Sequence, residues 1–431
     1  MQVIENSKIK EKMYIEKISN GLTVIMIPKA KIKKKYITWG VNFGSIDNQF
    51  ILGDESEVTR IPDGVAHYLE HKMFEQRSGI NSLDTLTNLG VDANAYTTNT
   101  YTTYLYECTD NFYEALDEFM DYVQNPYYTA ENVEKERGII EQEIAMYDDE
   151  PGQAIYMNLL KSMYYRNPIN IDIAGTKESI AEIDENVLYT IYNHFYVPEN
   201  MVIIACGDFD PEGLLENIKK RMIMKPSHTK ITRVYEEEPD SIVRKEVSKN
   251  MEISIPIFMI GYKDKIPSGN MVRKDLALEI LSEIIMGKSS KLYKRLYDEK
   301  LITSSLGFDY EYGRTFSHFL IQGLSNEPEK VISEIKNEIE FFKARGITDE
   351  DFERTKKKIY GEYVKDYNDP DTIASGVLAD YFNGINSFAF LEEFDCIKKE
   401  DLIDVLNTVF MEDKKVVSII RGNKSEEEEE E

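Results

Sequence analysis

The sequence repeats itself at an offset of 215 residues, and this repeat limits the possible folds more strongly than any other feature of the chain. Segments 185–207 and 400–422 align without a gap, so that Phe195 falls on Phe410. Each segment has the apolar spacing of an amphipathic helix, followed by a continuous apolar run typical of a buried strand. A chain of 431 residues with this offset is therefore predicted to consist of two homologous halves.

The similarity extends upstream of these segments with small insertions. Residues 129–151 and 348–370 each contain a Glu-Arg pair and end in an acidic stretch followed by proline. An amphipathic helix pattern precedes each, and before that comes an alternating strand pattern, at 92–107 and 304–322. We therefore expect an α+β fold of two homologous α/β sandwich-type domains produced by internal duplication. Each would be a mixed, largely antiparallel sheet packed with helices.

The polar, charged stretch after residue 225 has the composition of a linker between the two domains. The expected division is 1–228 for the N-terminal domain, 229–245 for the linker, 246–424 for the C-terminal homologous domain and 425–431 for an acidic tail.

Composition narrows the class of protein. Hydrophobic residues make up 42% and charged residues 30%, which suits a folded chain with a large core. The net charge of −27 repels phosphate backbones and argues against nucleic-acid binding. Three widely spaced cysteines exclude a disulfide framework and a thiolate zinc site. No apolar run is long enough to span a membrane, and residues 1–17 lack a signal-peptide core, so a cytoplasmic location is expected.

One histidine motif has the spacing of a metal-binding site. The chain has five histidines, and two of them, His67 and His71, are four residues apart with Glu70 between them. On a helix the two imidazoles lie on one face, one turn apart, where they can bind a single zinc ion. Glu70 lies on the adjoining face, where it can act as a general base toward water. This HxxEH pattern is the reversed form of the HExxH zinc-peptidase motif.

A catalytic zinc ion needs a third protein ligand, and the glutamate-rich helix pattern after residue 130 offers candidates. Glu136 and Glu143 are seven residues apart and therefore share a helix face. Three apolar residues lie near that face, so we expect it to turn toward the core: Ile139, Ile140 and Met146. The spacing leaves either Glu143 or Glu136 as the ligand, with the other beside it, and assigns Glu134 and Glu141 to a solvated face.

These motifs resemble the family of zinc metallopeptidases that includes pitrilysin, insulysin and the mitochondrial processing peptidase. The resemblance covers nearly the whole chain, and the HxxEH core followed by the glutamate pair is specific to this family. The segments that carry it are NGLTVIMIP at 20–28, GVAHYLEHKMF at 64–74, GVDANAYTT at 90–98, ERGIIEQEI at 136–144 and FYVPENMVIIACGD at 195–208.

The resemblance implies a set of roles at the metal site. One Zn²⁺ per chain would be held by His67, His71 and Glu143. The catalytic residues would be Glu70, as the general base, and Glu136, as a supporting acid near the site.

The resemblance also implies that Asn94, Ala95 and Tyr96 form part of an edge strand beside the metal that binds the substrate. In the family such a strand pairs with the peptide backbone, and the asparagine side chain also contacts the substrate. An exposed edge binds extended peptides with little sequence preference. Asn94 alone would be interpreted as a turn residue, so this role rests on the resemblance.

One departure from the family pattern predicts a partner. Active members hold the substrate carbonyl with an arginine and a tyrosine from a second-half domain, but those positions fall here on Tyr297 and Ser304, with Arg295 two residues away. At the 215-residue offset the metal motif is replaced by Ser282, Ile285 and Met286. We therefore expect a heterodimer in which this chain supplies the zinc half-site and a homologous subunit supplies the arginine–tyrosine pair.

The expected function is a zinc-dependent endopeptidase that hydrolyses peptides, or processes small precursor or leader peptides, in a closed chamber. A zinc-activated water would attack and Glu70 would act as base. The acidic excess is compatible with basic peptide substrates, although a solvated acidic surface is the preferred explanation. Two alternatives stay open: a non-catalytic scaffold subunit of a peptidase-like complex, against which the intact motif argues, and a metal-binding module that makes no use of Glu70.

Overall fold

A computed structural model describes residues 1–227, 229–266 and 269–423, and the predicted acidic tail, 425–431, lies outside these ranges. The strands of the described residues are β1 (Gln2–Asn6), β2 (Glu11–Lys17), β3 (Thr23–Pro28), β4 (Lys35–Val41), β5 (Gln49–Leu52), β6 (Thr59–Arg60), β7 (Asp92–Thr97), β8 (Thr102–Cys108), β9 (Met201–Gly207), β10 (Ile231–Arg233), β11 (Glu246–Met251), β12 (Ile257–Lys263), β13 (Gly307–Tyr312), β14 (Ser317–Leu324) and β15 (Lys415–Gly422).

The α-helices are α1 (Val65–Lys72), α2 (Ser82–Asn88), α3 (Phe112–Gln124), α4 (Ala130–Asp148), α5 (Pro151–Met163), α6 (Lys177–Ile180), α7 (Glu185–Phe195), α8 (Pro211–Arg221), α9 (Met271–Met286), α10 (Lys291–Asp298), α11 (Pro328–Arg345), α12 (Asp349–Asp366), α13 (Pro370–Phe382), α14 (Phe388–Cys396) and α15 (Lys399–Thr408). Short 3₁₀ helices cover Pro168–Asn170 and Pro198–Asn200. Within the described residues, none of the helices has the length and hydropathy needed to cross a bilayer.

The chain forms two compact units, each assembled from three segments. The first unit comprises 1–144, 172–235 and 364–388, and the second comprises 145–171, 236–363 and the residues from 389 onward. Each unit therefore contains one segment, 364–388 or 145–171, from the half of the sequence that otherwise builds the other unit. The domain limits predicted from the sequence do not include this exchange.

The first unit is built on a seven-stranded sheet with the order β1-β2-β3-β9-β4-β8-β7. Neighbouring strands are antiparallel except for β3 and β9, which are parallel. A second sheet of this unit has the order β10-β5-β6, and its strand β10 lies within the predicted linker, 229–245. That stretch is therefore partly anchored by strand pairing.

The second unit contains a five-stranded sheet with the order β11-β15-β12-β14-β13, in which only β11 and β15 are parallel neighbours. The first sheet contains the same arrangement as β3-β9-β4-β8-β7, with the parallel pair again at the start. Strands β9 and β15 are the two apolar runs that the sequence repeat aligns. The shared topology confirms the predicted α+β fold and its internal duplication.

The central strands of the large sheet are buried on both faces. Along β9, Ile203 packs into a core with α3, whereas Val202 and Ile204 pack against α13 on the opposite face. Gly40 of β4 allows the close approach of α13, because a side chain there would overlap Leu378. The sheet of the second unit is covered in the same way by α5, which lies against β12 and β15.

Candidate metal centre

Helix α1 carries the HxxEH motif and begins at a backbone conformation that suits glycine. Gly64, the residue before the helix, has φ of 92°, and a Cβ atom there would lie 2.5 Å from the carbonyl oxygen of Ala174. Tyr68 and Leu69 are fully buried and fix one face of the helix against the core. The histidines therefore occupy the face that is left.

The two histidines lie side by side on α1, as their spacing predicts. The ring centroids of His67 and His71 are 4.6 Å apart. Both side chains are largely but not fully buried, with 12% and 24% of their surface exposed. The Nε2 atoms of both rings face the carboxylate of Glu143.

Helix α4 brings Glu143 to both histidines. One carboxylate oxygen of Glu143 is 3.6 Å from Nε2 of His67, and the other is 3.4 Å from Nε2 of His71. Ligand atoms of the three side chains lie within 4.8 Å of one another, and no other set of three histidine, cysteine or carboxylate side chains in the described ranges does so.

The donor set and its spacing fit a zinc ion. Two ligands about 2.1 Å from a tetrahedral zinc ion are about 3.4 Å apart, close to the separations between Glu143 and the two imidazoles. Two imidazoles and one carboxylate are also a ligand set of catalytic zinc sites, in which a fourth position is kept for water or substrate.

Glu136 contacts the other nitrogen of His71. Its Oε1 is 3.1 Å from Nδ1 of His71, and its Oε2 is 3.7 Å from Nζ of Lys72. Burial opposes ionisation of Glu136, but the His71 hydrogen bond and the Lys72 ammonium hold its pKa below the ordinary value. Burial likewise opposes the imidazolium form of His71, yet its hydrogen bond to Glu136 and the carboxylates of Glu70 and Glu143 raise its pKa. Of the two glutamates that the spacing left open, Glu143 faces both Nε2 atoms and Glu136 does not.

Glu70 lies beside the histidines and is 8% exposed. Burial raises the pKa of its carboxyl group, and His67 and the hydroxyl of Thr97 offset part of this effect. Thr97 Oγ1 donates a 2.6 Å hydrogen bond to Glu70 Oε2. The resemblance places Thr97 in the same edge strand as Asn94, Ala95 and Tyr96, but sequence reasoning gave this threonine no role of its own.

The three residues predicted to bind substrate lie on β7, which is an edge strand of the sheet and pairs with β8. Because side chains alternate along a strand, Ala95 points to the same face as Thr97, toward α1. Tyr96 belongs to the opposite face, where its ring is 6.1 Å from that of Tyr101. Asn94 Oδ1 accepts a hydrogen bond from the Ala95 amide. The predicted edge strand thus runs beside Glu70.

A cavity of about 430 Å³ adjoins the centre. Its lining includes Glu70, His71, Phe74, Asn94, Ala95, Glu136 and Ile139. The expectation that this face of α4 turns toward the core is right for Ile140, which is fully buried, and wrong for Ile139 and Met146, which are 48% and 60% exposed. Helical spacing identifies a common face but not whether a neighbour covers it.

Comparisons with known proteins identify the family of the chain. The family model described as insulinase, peptidase family M16, matches residues 56–177, and that of the peptidase M16 inactive domain matches residues 182–359. A Bacillus subtilis protein, the uncharacterized zinc protease YmfH, is 36% identical over 417 residues, which cover 95% of this chain and 94% of the relative. The chain belongs to peptidase family M16, the insulinase family.

Solved structures support the same M16 fold. An M16-like peptidase from Alicyclobacillus acidocaldarius is 30% identical in sequence, and its structure matches with a TM-score of 0.92. The match covers 97% of this chain and 100% of the other. A protease from Helicobacter pylori, at 20% identity and a TM-score of 0.82 over 95% of this chain and 100% of its own, shares the fold.

The geometry of this M16 centre predicts a graded effect of substitutions on zinc binding. We expect one zinc per chain, with affinity about 100-fold lower or worse after His67→Ala, His71→Ala or Glu143→Gln, since each removes a ligand. Glu136→Gln should weaken binding about 10-fold, because it leaves the ligands in place and removes only the negative charge that strengthens the contact with His71. Chelator competition measures these affinities.

Glu141→Gln is the matched control, because it alters the same helix two residues from Glu143. Its zinc affinity should equal that of the unmodified chain. A greater loss of zinc from Glu136→Gln than from Glu143→Gln would reverse the two assignments.

Proposed function

We propose that this chain is a zinc-dependent endopeptidase that cleaves peptides, including small precursor or leader peptides. The observation that carries the proposal is the convergence of His67, His71 and Glu143 around one point, with the buried carboxyl group of Glu70 beside them. The Bacillus subtilis relative is named a zinc protease, which supports the same activity.

A zinc ion held by His67, His71 and Glu143 would lower the pKa of water and polarise a peptide carbonyl. Glu70 takes the proton of the attacking water as the oxygen bonds to the carbonyl carbon. It then gives this proton to the leaving amine as the carbon–nitrogen bond breaks. The hydrogen bond from Thr97 holds one carboxylate oxygen in place, so the other is free to face the water.

The edge strand β7 supplies a physical route to peptide binding. An extended peptide can add to the unpaired side of β7 through backbone hydrogen bonds that do not depend on side-chain identity. The segment Asn94, Ala95 and Tyr96 lies next to Thr97, and Thr97 contacts Glu70. A peptide bound there would therefore run past the general base.

A scaffold role is the second candidate. The matched model named for an inactive domain covers residues 182–359, and α9 of that region carries fully buried Ser282, Ile285 and Met286 where the first half has its metal motif. The first half keeps all three motif residues, with Glu70 beside the two histidines, and this favours the catalytic proposal. A cytoplasmic location, expected from the sequence, belongs to the catalytic proposal.

Replacing the proposed base separates catalysis from metal binding. Glu70→Gln should reduce cleavage of a quenched fluorescent peptide about 10³-fold, because the amide cannot accept the proton. Zinc content should be unchanged, since Glu70 is not a ligand. Glu141→Gln is the control for activity, and cleavage at the unmodified rate by Glu70→Gln would rule out this residue as the base.

The Thr97 hydrogen bond predicts a change in pH dependence. Activity should fall as the pH drops through the pKa of Glu70, because the base must be ionised. Thr97→Val removes a bond to the ionised form and so raises that pKa, which should move the acid limb of kcat/KM up by about one pH unit. Thr97→Ser keeps the hydroxyl and should leave the limb in place. An unchanged limb in Thr97→Val would contradict the role of this bond.

We also propose that a homologous subunit completes the site. The nearby arginine of α10, Arg295, lies 2.9 Å from Glu334 and 3.0 Å from Glu338, so it is already engaged in ion pairs on α11. Tyr297, at the position of the family arginine, is 54% exposed and stacks on Tyr293. Neither side chain supplies the charge that would hold a substrate carbonyl. The net charge of −27 would be compatible with basic peptides as substrates of such a complex.

The partner proposal predicts weak activity of the isolated chain. Loss of one group that stabilises the developing oxyanion costs about 10²–10³ in rate, so the purified chain should gain at least 100-fold on mixing with a homologue that carries the arginine–tyrosine pair. Peptide cleavage and light scattering measure the gain and the heterodimer together. Full activity of the isolated monomer would exclude the partner proposal and leave the zinc proposal intact.

A further inference from the structure

Lys72, the last residue of α1, is a fully buried lysine with 0% of its surface exposed. Lysine is among the residues least often fully buried, and it stays charged in such a place only when it is paired. Its Nζ forms an ion pair with Glu75 and lies 3.7 Å from Oε2 of Glu136. The position directly follows His71, so its contacts reach the metal centre.

Glu136 connects Lys72 to His71 through its two oxygens. Oε2 faces the ammonium of Lys72, and Oε1 is 3.1 Å from Nδ1 of His71. When Nδ1 of His71 carries the proton and donates to Oε1, Nε2 is left as an acceptor, 3.4 Å from Glu143. The lysine, the glutamate and the histidine therefore form one chain of contacts that ends at a proposed ligand nitrogen.

We propose that Lys72 is a positioning residue of the zinc centre, which acts through Glu136 to hold His71 in the orientation that binds the metal. The inference rests on the proposed function, because it needs zinc at His67, His71 and Glu143. A buried carboxylate without a counter-ion turns toward water or another donor. The Lys72 ammonium instead keeps Glu136 directed at the imidazole.

A purely structural ion pair with Glu75 is the competing explanation, and a double-mutant cycle separates the two. Zinc affinity is measured by chelator competition for the full chain, Lys72→Met, Glu136→Gln and the double variant. We expect Lys72→Met to bind zinc about 10-fold more weakly, in the range of substitutions around metal ligands. The double variant should bind no more than about twofold more weakly than Glu136→Gln alone, because Lys72 acts through that carboxylate.

A second pair of variants covers the case in which Lys72→Met does not fold. Glu75→Gln removes the other partner of the lysine and should keep the zinc affinity of the full chain. Lys72→Met in the Glu75→Gln background removes the cation without leaving Glu75 as an unpaired charge, and should again lose about 10-fold. The visible spectrum of the cobalt-substituted protein should change in both Lys72→Met variants and not in Glu75→Gln.

Lys29→Met is the control for the loss of a buried lysine in the same unit, since Lys29 is 8% exposed and pairs with Glu11. It should lower thermal stability without changing zinc affinity. Unchanged zinc affinity in Lys72→Met, or losses that add in the double variant, would overturn the inference while the zinc site stands. A full chain that binds no zinc would remove the proposed function and this inference together.

Discussion

The packing of α1 against α4 is the constraint on which the metal centre depends. The two helices carry its two halves, since His67 and His71 lie on α1 and Glu143 on α4. Tyr68, between the histidines in sequence, is fully buried and donates a 2.5 Å hydrogen bond to the backbone oxygen of Val133. This bond ties the motif helix to the first turn of α4. The glutamate at the other end of the helix can then meet both imidazoles without a loop in between.

The charge balance of the centre favours a divalent cation. Four carboxylates lie at or beside it: Glu70, Glu75, Glu136 and Glu143. Two lysines, Lys72 and Lys135, offset two of these charges. Neutral imidazoles, the form in which histidine binds metal, add none. The two remaining negative charges are costly in a partly buried site, and a zinc ion would compensate them where its ligands converge.

Much of the architecture could be predicted because it repeats locally. Strand alternation and helix spacing are set by short stretches of sequence, which is why β7 and β8 coincide with the strand pattern predicted at 92–107, and α3 and α11 follow the strands in the predicted order. The exchange of 145–171 and 364–388 between the units depends on contacts far apart in sequence, such as that of Gly40 with α13, and no local pattern indicates it. Burial of Ile139 and Met146 also depends on contacts between distant parts of the chain. Helix spacing predicts which face of α4 they share, but it does not predict that this part of the face stays exposed.

Within the site, predictability follows the same division. His67, Glu70 and His71 lie within about one turn of one helix, so their spacing alone places them together. The choice between Glu136 and Glu143 needs the position of α4 relative to α1. The contact of Thr97 with Glu70 depends on which strand becomes the sheet edge.

The edge position of β7 links the fold to the proposed chemistry. A strand at the end of a sheet leaves one row of backbone donors and acceptors unpaired, and folded proteins usually protect such rows because they invite association. Here the inner neighbour β8 is mostly buried and fixes the register of β7, with Thr97 opposite Thr102. That register also places Thr97 next to Glu70. The backbone hydrogen bonds that add a peptide to β7 would therefore position it both along the strand and next to the general base. Affinity for the main chain and alignment for cleavage would then have a single structural origin, and such a site would accept many sequences.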